Sequence, residues 1–518
     1  MTLYKCKLFF LSLYRVFEDL MGYDSKKSKN FLQNILIIST ITLAVTFYVI
    51  LASFFFIFRF ITLICLKLKY RSAFIAPLSS LDVINERRNS KVIIQIVLME
   101  RVKNSFQDVV KCVNEKMRRA EESCQKLTCT VKNCFGYYYY LQTNTQGDVQ
   151  IVNFNLNGGY LTKNDIKMYL NENFVDVNNT LNDKMWKVTI LNQFVNWNFK
   201  EDLQYAIIIS VRHCVGDGAA IIGMLKNKIF TKSDFIFIKS NLDSANIEKR
   251  TLLSEELYKN PLKESGKDCF EDLPYNPKEY LSFFTEEQPK YVIMIKKIKN
   301  KLNIQFSDVL IAGVVTAIVK YCNKNKIVLS SLNGATTVTH LTESHKSLFS
   351  GEFNFNKISN HSELLRLDLP IDSKNVIEMV LKINEIKKKA MTGIEIPLHK
   401  ILFKIMPVFP AIVIQHLTDS FTKNIAFNIT NISGIKDGIV DDKVFNNILF
   451  FASQFYNFGF CFYIFTLGDN FQVAVKSRKG VVKNVEDLDF ILDDIKEYID
   501  DLYNELEFND KNNVSNII

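Results

Sequence analysis

Six histidines and ten cysteines are the only imidazoles and thiols in 518 residues, and neither set is arranged to hold a metal. Cys112, Cys124, Cys129 and Cys134 cluster, but their gaps are wide and irregular and no paired C-x-x-C knuckle occurs. Free, mostly buried thiols in a reducing compartment are expected, with no metal site. No basic block is interleaved with aromatics, so the net charge of +9 reads as solvated faces with some affinity for anionic lipid rather than a nucleic-acid surface. No internal repeat of short period is visible, which argues against a solenoid. With 48% hydrophobic and 23% charged residues the chain is globular in composition. Its length exceeds what one core usually supports, so at least two packed units are expected.

One long apolar run is present. Ile35 to Phe58 is free of charge over 24 residues, and beyond Arg59 the apolar stretch continues to Leu66. About 20 such residues cross a bilayer's hydrocarbon core as a helix, so this is a transmembrane segment and too long for a cleavable signal peptide. Lys26, Lys27 and Lys29 before it nearly balance Lys67, Lys69 and Arg71 after it, which leaves its orientation open. The short patch Leu8 to Leu11 reads as interfacial. A second apolar region, Ile401 to Leu417, is broken by Lys404, Pro407 and Pro410; core packing is favoured there over contact with lipid.

The chemistry concentrates in Arg212-His213-Cys214-Val215-Gly216-Asp217-Gly218. Tyr205 to Val211 reads as a buried strand and Ala219 onward as a helix, which puts His213 where a strand breaks into a tight turn. A histidine there suits general-base work near neutral pH. Asp217 orients the local backbone and Gly218 admits a close neighbour. The other histidines, His340, His345, His361, His399 and His416, lie in polar, loop or apolar-flanking contexts.

Around this motif, Lys91 to Val102, Trp186 to Leu191 and Leu203 to Val211 are strand-like, the last two joined by the polar hairpin Asn196 to Glu201. Ser105 to Glu122 has helical spacing. Lys239 to Pro289 is rich in Lys, Glu, Asn, Ser and Asp and reads as a crossover between two lobes. In the second lobe Ile304 to Tyr321 follows a helical period with Ser307 as the cap. Lys326 to Leu332 and Ala335 to Leu341 read as strands and Val376 to Lys389 as an amphipathic helix. Ala426 to Gly434 is a strand running into a turn. Gly459 to Phe465 and Phe471 to Val475 pair around Gly468-Asp469-Asn470, and Val485 to Glu505 is a closing helix.

Several landmarks, in order, resemble the wax ester synthase/diacylglycerol acyltransferase family of CoA-dependent acyltransferases with an H-H-x-x-x-D-G motif. They are Leu78-Ser79-Ser80-Leu81-Asp82, Lys184-Met185-Trp186, the histidine motif, Ser307-Asp308-Val309, Gly351 to Pro370, Asn431-Ile432-Ser433-Gly434 and the closing strands and helix from Gly459 to Leu506. Arg212 stands in place of the first histidine, Ser307 in place of an asparagine and Ser433 in place of a proline.

The resemblance implies an α/β (α+β), two-lobe, chloramphenicol-acetyltransferase-like fold with an N-terminal transmembrane helix. Its expected units are an N-terminal segment at 1–34, the anchor at 35–66, a first lobe at 76–238, a linker at 239–289 and a second lobe at 290–510. It implies His213 as general base, Asp217 as an orienting residue and Gly218 as the tight turn, with Asn431, Gly434, Ser307 and Asp308 as substrate-side positions. Acyl-CoA would be a substrate and no cofactor is needed. The partners would be a long-chain alcohol or diacylglycerol acceptor and membrane lipids, with no nucleic acid. The expected location is the endoplasmic reticulum or plasma membrane, single-pass, with the catalytic region cytosolic. Five N-x-S/T sequons, at Asn178, Asn360, Asn428, Asn431 and Asn513, are then expected to stay bare. A competing expectation is a membrane-anchored lipid-binding or scaffold protein that kept the fold and lost the chemistry.

Overall fold

The protein is described by a computed structural model covering residues 31–87, 90–101, 105–143, 146–154, 159–173, 181, 183–197, 204–228, 279–339, 358–393, 395–422, 424–435, 439–440, 443–444, 448–453 and 458–515. The Leu8–Leu11 patch, His340, His345, the Asn178 sequon, residues 351–357 and most of the expected linker lie outside the described residues.

Helix α1 (Phe31–Tyr70) runs unbroken through Arg59 for 40 residues. It contains a stretch long and apolar enough to cross a membrane, most of it uncovered by protein. A strand, β1 (Phe74–Pro77), leads into the short helix α2 (Ser80–Asn85). Ser79 caps α2 reciprocally with Asp82, so the chain enters it at a fixed angle. Next come β2 (Ile93–Arg101) and α3 (Phe106–Ser123). The latter is capped by Ser105 and Asp108 and buries Val109, Val113, Met117 and Ala120 at helical spacing. The first lobe continues with β3 (Cys129–Cys134), β4 (Tyr137–Gln142), β5 (Asp148–Asn153), β6 (Leu161–Thr162), α4 (Lys163–Asn173), β7 (Trp186–Asn192), β8 (Val195–Asn196), β9 (Gln204–Arg212) and α5 (Gly218–Lys228). The expected antiparallel pairing of Trp186–Leu191 with the strand before His213 is present, with Ile190 opposite Ile207 and Trp186 opposite Val211.

The second half contains β10 (Glu279–Thr285), α6 (Tyr291–Leu302), α7 (Phe306–Lys324), β11 (Leu332–Thr339), β12 (Ser362–Leu369), α8 (Val376–Thr392), α9 (Glu395–Ile405), α10 (Ala411–Thr422), β13 (Phe427–Ile435), β14 (Ile448–Ala452), β15 (Phe460–Leu467), β16 (Asn470–Arg478) and α11 (Val485–Ser515). Strand order in its six-stranded sheet is β10-β16-β15-β13-β11-β12. Helices α6, α7, α8 and α11 supply the rest of that lobe's core. Helix α7 is as apolar as a membrane span but is mostly buried against its neighbours, so its composition reflects the core.

Strand β14 crosses from the second half into the first lobe's seven-stranded sheet, pairing antiparallel with β2, whose other edge pairs with β9. Every residue of β9 is buried as a result, with partners on both edges and cover on both faces. The two lobes therefore share a sheet at the site.

Four expectations are corrected. Glu279–Thr285, placed in the linker from its charged flanks, is the edge strand β10, held by seven antiparallel partners from Gln472 to Arg478. Lys326–Ser331 is not a strand, because Lys326 takes a left-handed conformation (φ 57°) that turns the chain before Leu332. Gln305, not Ser307, is the N-cap of α7; the Asp308 carboxylate reaches back to the Gln305 N–H. The segment Ala426–Gly434 does not end in a turn: β13 continues to Ile435 with an irregularity in its pairing between Ile432 and Ile435.

Candidate active site

The last strand residue, Arg212, and the first turn residue, His213, are tied to neighbours through the backbone. Arg212 N–H donates to Met185 O (2.9 Å), His213 N–H to Val92 O (2.8 Å) and Val215 N–H to Arg212 O (3.0 Å). The turn is closed by two side chains from the first lobe. Tyr140 OH donates to Cys214 O (2.7 Å), and Lys126 Nζ lies 3.4 Å from Val215 O and 3.9 Å from the buried Asp82 carboxylate. Strand alternation sends Arg212 and His213 to opposite sides. Arg212 is 1% exposed and pairs with Glu86, 4% exposed, at 3.1 Å. The arginine thus has a buried carboxylate of its own and does not share the histidine's pocket.

Helix α2 and the residue after it supply a side chain to each part of this arrangement: Asp82 to Lys126, Asn85 to His213 and Glu86 to Arg212. Asn85 Nδ2 lies 3.1 Å from His213 Nδ1. The imidazole also lies against its own backbone carbonyl, which favours the protonated ring. When Nδ1 carries the proton, the Asn85 amide turns its oxygen to the ring and Nε2 keeps a free lone pair. Burial holds the His213 pKa below its ordinary value, opposed by that carbonyl and by Asp217, Asn360 and Asp82. The resting ring at pH 7 is neutral.

The second half closes the site. Asn360 donates through one amide nitrogen to Asp82 Oδ1 (2.6 Å) and to His213 O (2.7 Å). Asp217, almost fully buried, divides its carboxylate: Oδ1 accepts from Ala220 N–H (2.9 Å) and caps α5, while Oδ2 accepts from His361 N–H (2.9 Å) and Ser362 Oγ (3.2 Å). It holds the turn to the start of β12. Gly218 admits the second lobe: a Cβ there would meet Ile432 Cδ1 at 2.6 Å and Phe450 Cζ at 2.9 Å. A Cβ on Gly216 would stand 2.7 Å from Ile358. Both glycines are places where the other lobe's side chains press on the motif.

Of the sequence-predicted positions, His213, Asp217 and Gly218 are brought together. Asn431 is half-buried on β13, next to the Ile432 that touches Gly218, and Gly434 lies at the irregularity in the same strand. Ser307 and Asp308 are engaged elsewhere: Lys387 on α8 bonds Ser307 Oγ, Asp308 Oδ1 (2.7 Å) and Gln305 Oε1 (2.7 Å). Burial lowers the Lys387 pKa and the adjacent Asp308 opposes the shift. Asn85, Glu86, Lys126 and Asn360 are site residues that sequence reasoning did not single out. For Asn85, Glu86 and Asn360 the signal was their place next to or inside the Leu78–Asp82 and Gly351–Pro370 landmarks; Lys126 carried none. The described cysteines form no disulfide, and Cys124, Cys129, Cys214, Cys322 and Cys461 are buried. Among the described residues no cluster suited to a metal occurs.

The site is therefore a buried histidine at the end of a central strand, locked by a turn aspartate against a second α/β lobe. The chain has its fold in common with a wax ester synthase/diacylglycerol acyltransferase from Marinobacter aquaeolei VT8, with a TM-score of 0.54 at 12% identity over 82% of this chain and 98% of that one. A trichothecene 15-O-acetyltransferase from Fusarium sporotrichioides gives a TM-score of 0.56 at 13% identity, covering 82% and 94%. A cyclization-docking bidomain from Sorangium cellulosum gives 0.50 at 10%, covering 84% and 87%. Residues 358–503 match the family model described as the WS/DGAT C-terminal domain. No curated protein matches the chain by sequence. Residues 358–503 are thus similar to the C-terminal domain of the wax ester synthase/diacylglycerol acyltransferase family, and the chain as a whole shares the fold of one such enzyme.

Proposed function

We propose that this protein is a membrane-anchored O-acyltransferase that moves a fatty acyl group from acyl-CoA to a long-chain alcohol or to diacylglycerol, giving a wax ester or triacylglycerol. The observation that carries this reading is the buried His213 at the lobe junction, its Nδ1 beside the Asn85 amide and its pKa lowered by burial. In the proposed reaction Nε2 takes the acceptor's hydroxyl proton as the oxygen attacks the thioester carbonyl carbon. The tetrahedral intermediate expels CoA thiolate as the C–S bond breaks. The imidazolium returns the proton to that sulfur, leaving ester and free CoA. No covalent enzyme intermediate, resident cofactor or metal enters this scheme. Strand β13 around Asn431 and Gly434 is proposed to face the substrates. Ser307 and Asp308 are not carried forward in that role, because Lys387 occupies them.

The anchor is proposed to be α1, with the catalytic lobes on the cytosolic side of the endoplasmic reticulum or plasma membrane, where acyl-CoA is found. Asn360 supports that side: the amide nitrogen a glycan would occupy already donates to Asp82 and His213 O, so modification of this sequon would break the site. The competing reading, a fold kept without chemistry, drew on the Arg212 and Ser307 departures. Both residues have structural partners of their own, and that support weakens.

The test is an acceptor panel with radiolabelled acyl-CoA on full-length protein in detergent. Wild type is expected to esterify a long-chain alcohol or diacylglycerol, and His213→Ala to lose about 10²- to 10⁴-fold in turnover with its fold intact. Equal background yields from both proteins would favour the scaffold reading.

A further inference from the structure

We propose that the outer face of α10 and the Phe135–Gly136 turn form a shelf immersed in the membrane leaflet from which α1 emerges. This shelf would place the back of the catalytic helix α2 against lipid. The proposal rests in part on the reading of α1 as an anchor.

The body's core packs on α1 within its apolar candidate span, Val49–Ala73, at Ala52 and Phe55. At that level Phe55 meets Phe409 edge to face at 5.7 Å and Phe58 meets Phe135 at 6.0 Å. Tyr137 OH sits within hydrogen-bond reach of the carbonyls of both Phe55 (3.4 Å) and Val408 (3.0 Å). The start of α10 is fixed to the same turn, since Ala411 N–H donates to Gly136 O (2.7 Å). The side chains left over point outward: Phe135 is 74% exposed and Ile412 75%, and Leu417 and Phe421 continue the exposed apolar face of α10. Phe135 continues this surface onto α1 through Phe58, which stacks on the exposed Phe54. Large exposed apolar surface continuous with a membrane anchor is the pattern of an interfacial helix. The basic residues Lys67, Lys69 and Arg71 lie at the far, C-terminal end of α1 or just beyond it.

The inner face of α10, through Ala411, Ile414 and Thr418, turns to the protein, and the helix packs on α2. Ser80 at the start of α2 donates to Phe403 O (2.7 Å) at the end of α9. Helix α2 then lies between the shelf and His213, which it touches through Asn85. An acceptor dissolved in the leaflet would arrive beside the base without crossing water.

Tryptophan depth probes test this. The chain's own two tryptophans, Trp186 and Trp197, are buried in the first lobe and give a constant background. Ile412→Trp, Phe421→Trp, Val49→Trp on the anchor and Val328→Trp, exposed in the second lobe, are reconstituted as full-length protein in phosphatidylcholine vesicles with dibrominated acyl chains. The added emission is expected to fall at least twofold at 412, 421 and 49 and to stay unchanged at 328. Quenching at 49 alone would overturn the shelf and leave the anchor standing. Quenching at 412 and 421 without 49 would support the shelf and remove the anchor. Equal quenching at all four positions, or at none, would overturn the shelf.

Discussion

Arg212→Met separates a structural role for this residue from a chemical one. In the folded protein its guanidinium lies 3.1 Å from Glu86, and both side chains are almost wholly removed from water. At an effective dielectric of about 20, unit charges at that distance attract by roughly 5 kcal/mol. Removing Arg212 strips Glu86 of this buried cation, at a cost of about 3–5 kcal/mol. For a lobe of this size that is a fall of roughly 10 °C in apparent Tm. The assay is thermal unfolding of full-length protein in detergent at a fixed scan rate, followed by tryptophan emission. Both tryptophans are in the first lobe, and Trp186 pairs with Val211 beside Arg212. Adding Glu86→Met to Arg212→Met removes the buried carboxylate as well and is expected to restore part of the loss. At temperatures where Arg212→Met stays folded, its turnover should be within a few-fold of wild type, because the side chain faces away from His213. An unshifted melt with turnover down a hundredfold would refute the reasoning and put Arg212 in the chemistry.

The pH dependence of kcat/KM should have an acid limb below 6.5, since the base must be neutral and burial lowers the His213 pKa; a limb centred above 6.5 would contradict the burial argument. The same shift affects stability: the fold favours neutral His213, so its contribution is complete above the unfolded value near 6.5 and is lost as pH falls through the lower folded value. Denaturant titrations of wild type and His213→Gln should converge or diverge accordingly between pH 7 and 5, with His399, also lowered by burial, adding a common background. Gly218→Val is expected to cost about 1–3 kcal/mol by overpacking against Ile432 and Phe450, and Ile432→Ala should relieve part of that in a double-mutant cycle. Strict additivity of the two changes would show that they do not touch.

Local patterns were legible because they depend on neighbours in sequence. The apolar period placed α3, α8 and α11, and the buried run before His213 placed β9. Errors came where a segment's state depends on distant partners. Glu279–Thr285 looks solvated by composition and is a strand because β16 supplies its hydrogen bonds. Ser307 looks like a cap, yet the capping is done by Gln305 with Asp308, and Ser307 is taken by Lys387, 80 residues away. The Ile401–Leu417 region reads as a broken core segment. Met406, Phe409, Ala411 and Ile414 do join the core, while the outer face of its second helix, Ile412 included, is exposed, which the sequence pattern alone did not separate.

By itself the sequence determined that a histidine would end a buried strand, that a turn with an aspartate and a glycine would follow, and that a long apolar helix would precede both lobes. Those features rest on side-chain period and on backbone conformations that few residues adopt. Only the tertiary structure decided what surrounds the histidine. Asn85 reaches it across 128 positions and Asn360 across 147, while Arg212 is turned to Glu86. The orientation of an imidazole and the charge it carries depend on its contacts, and these contacts form only when α2, β9 and the start of β12 are brought together.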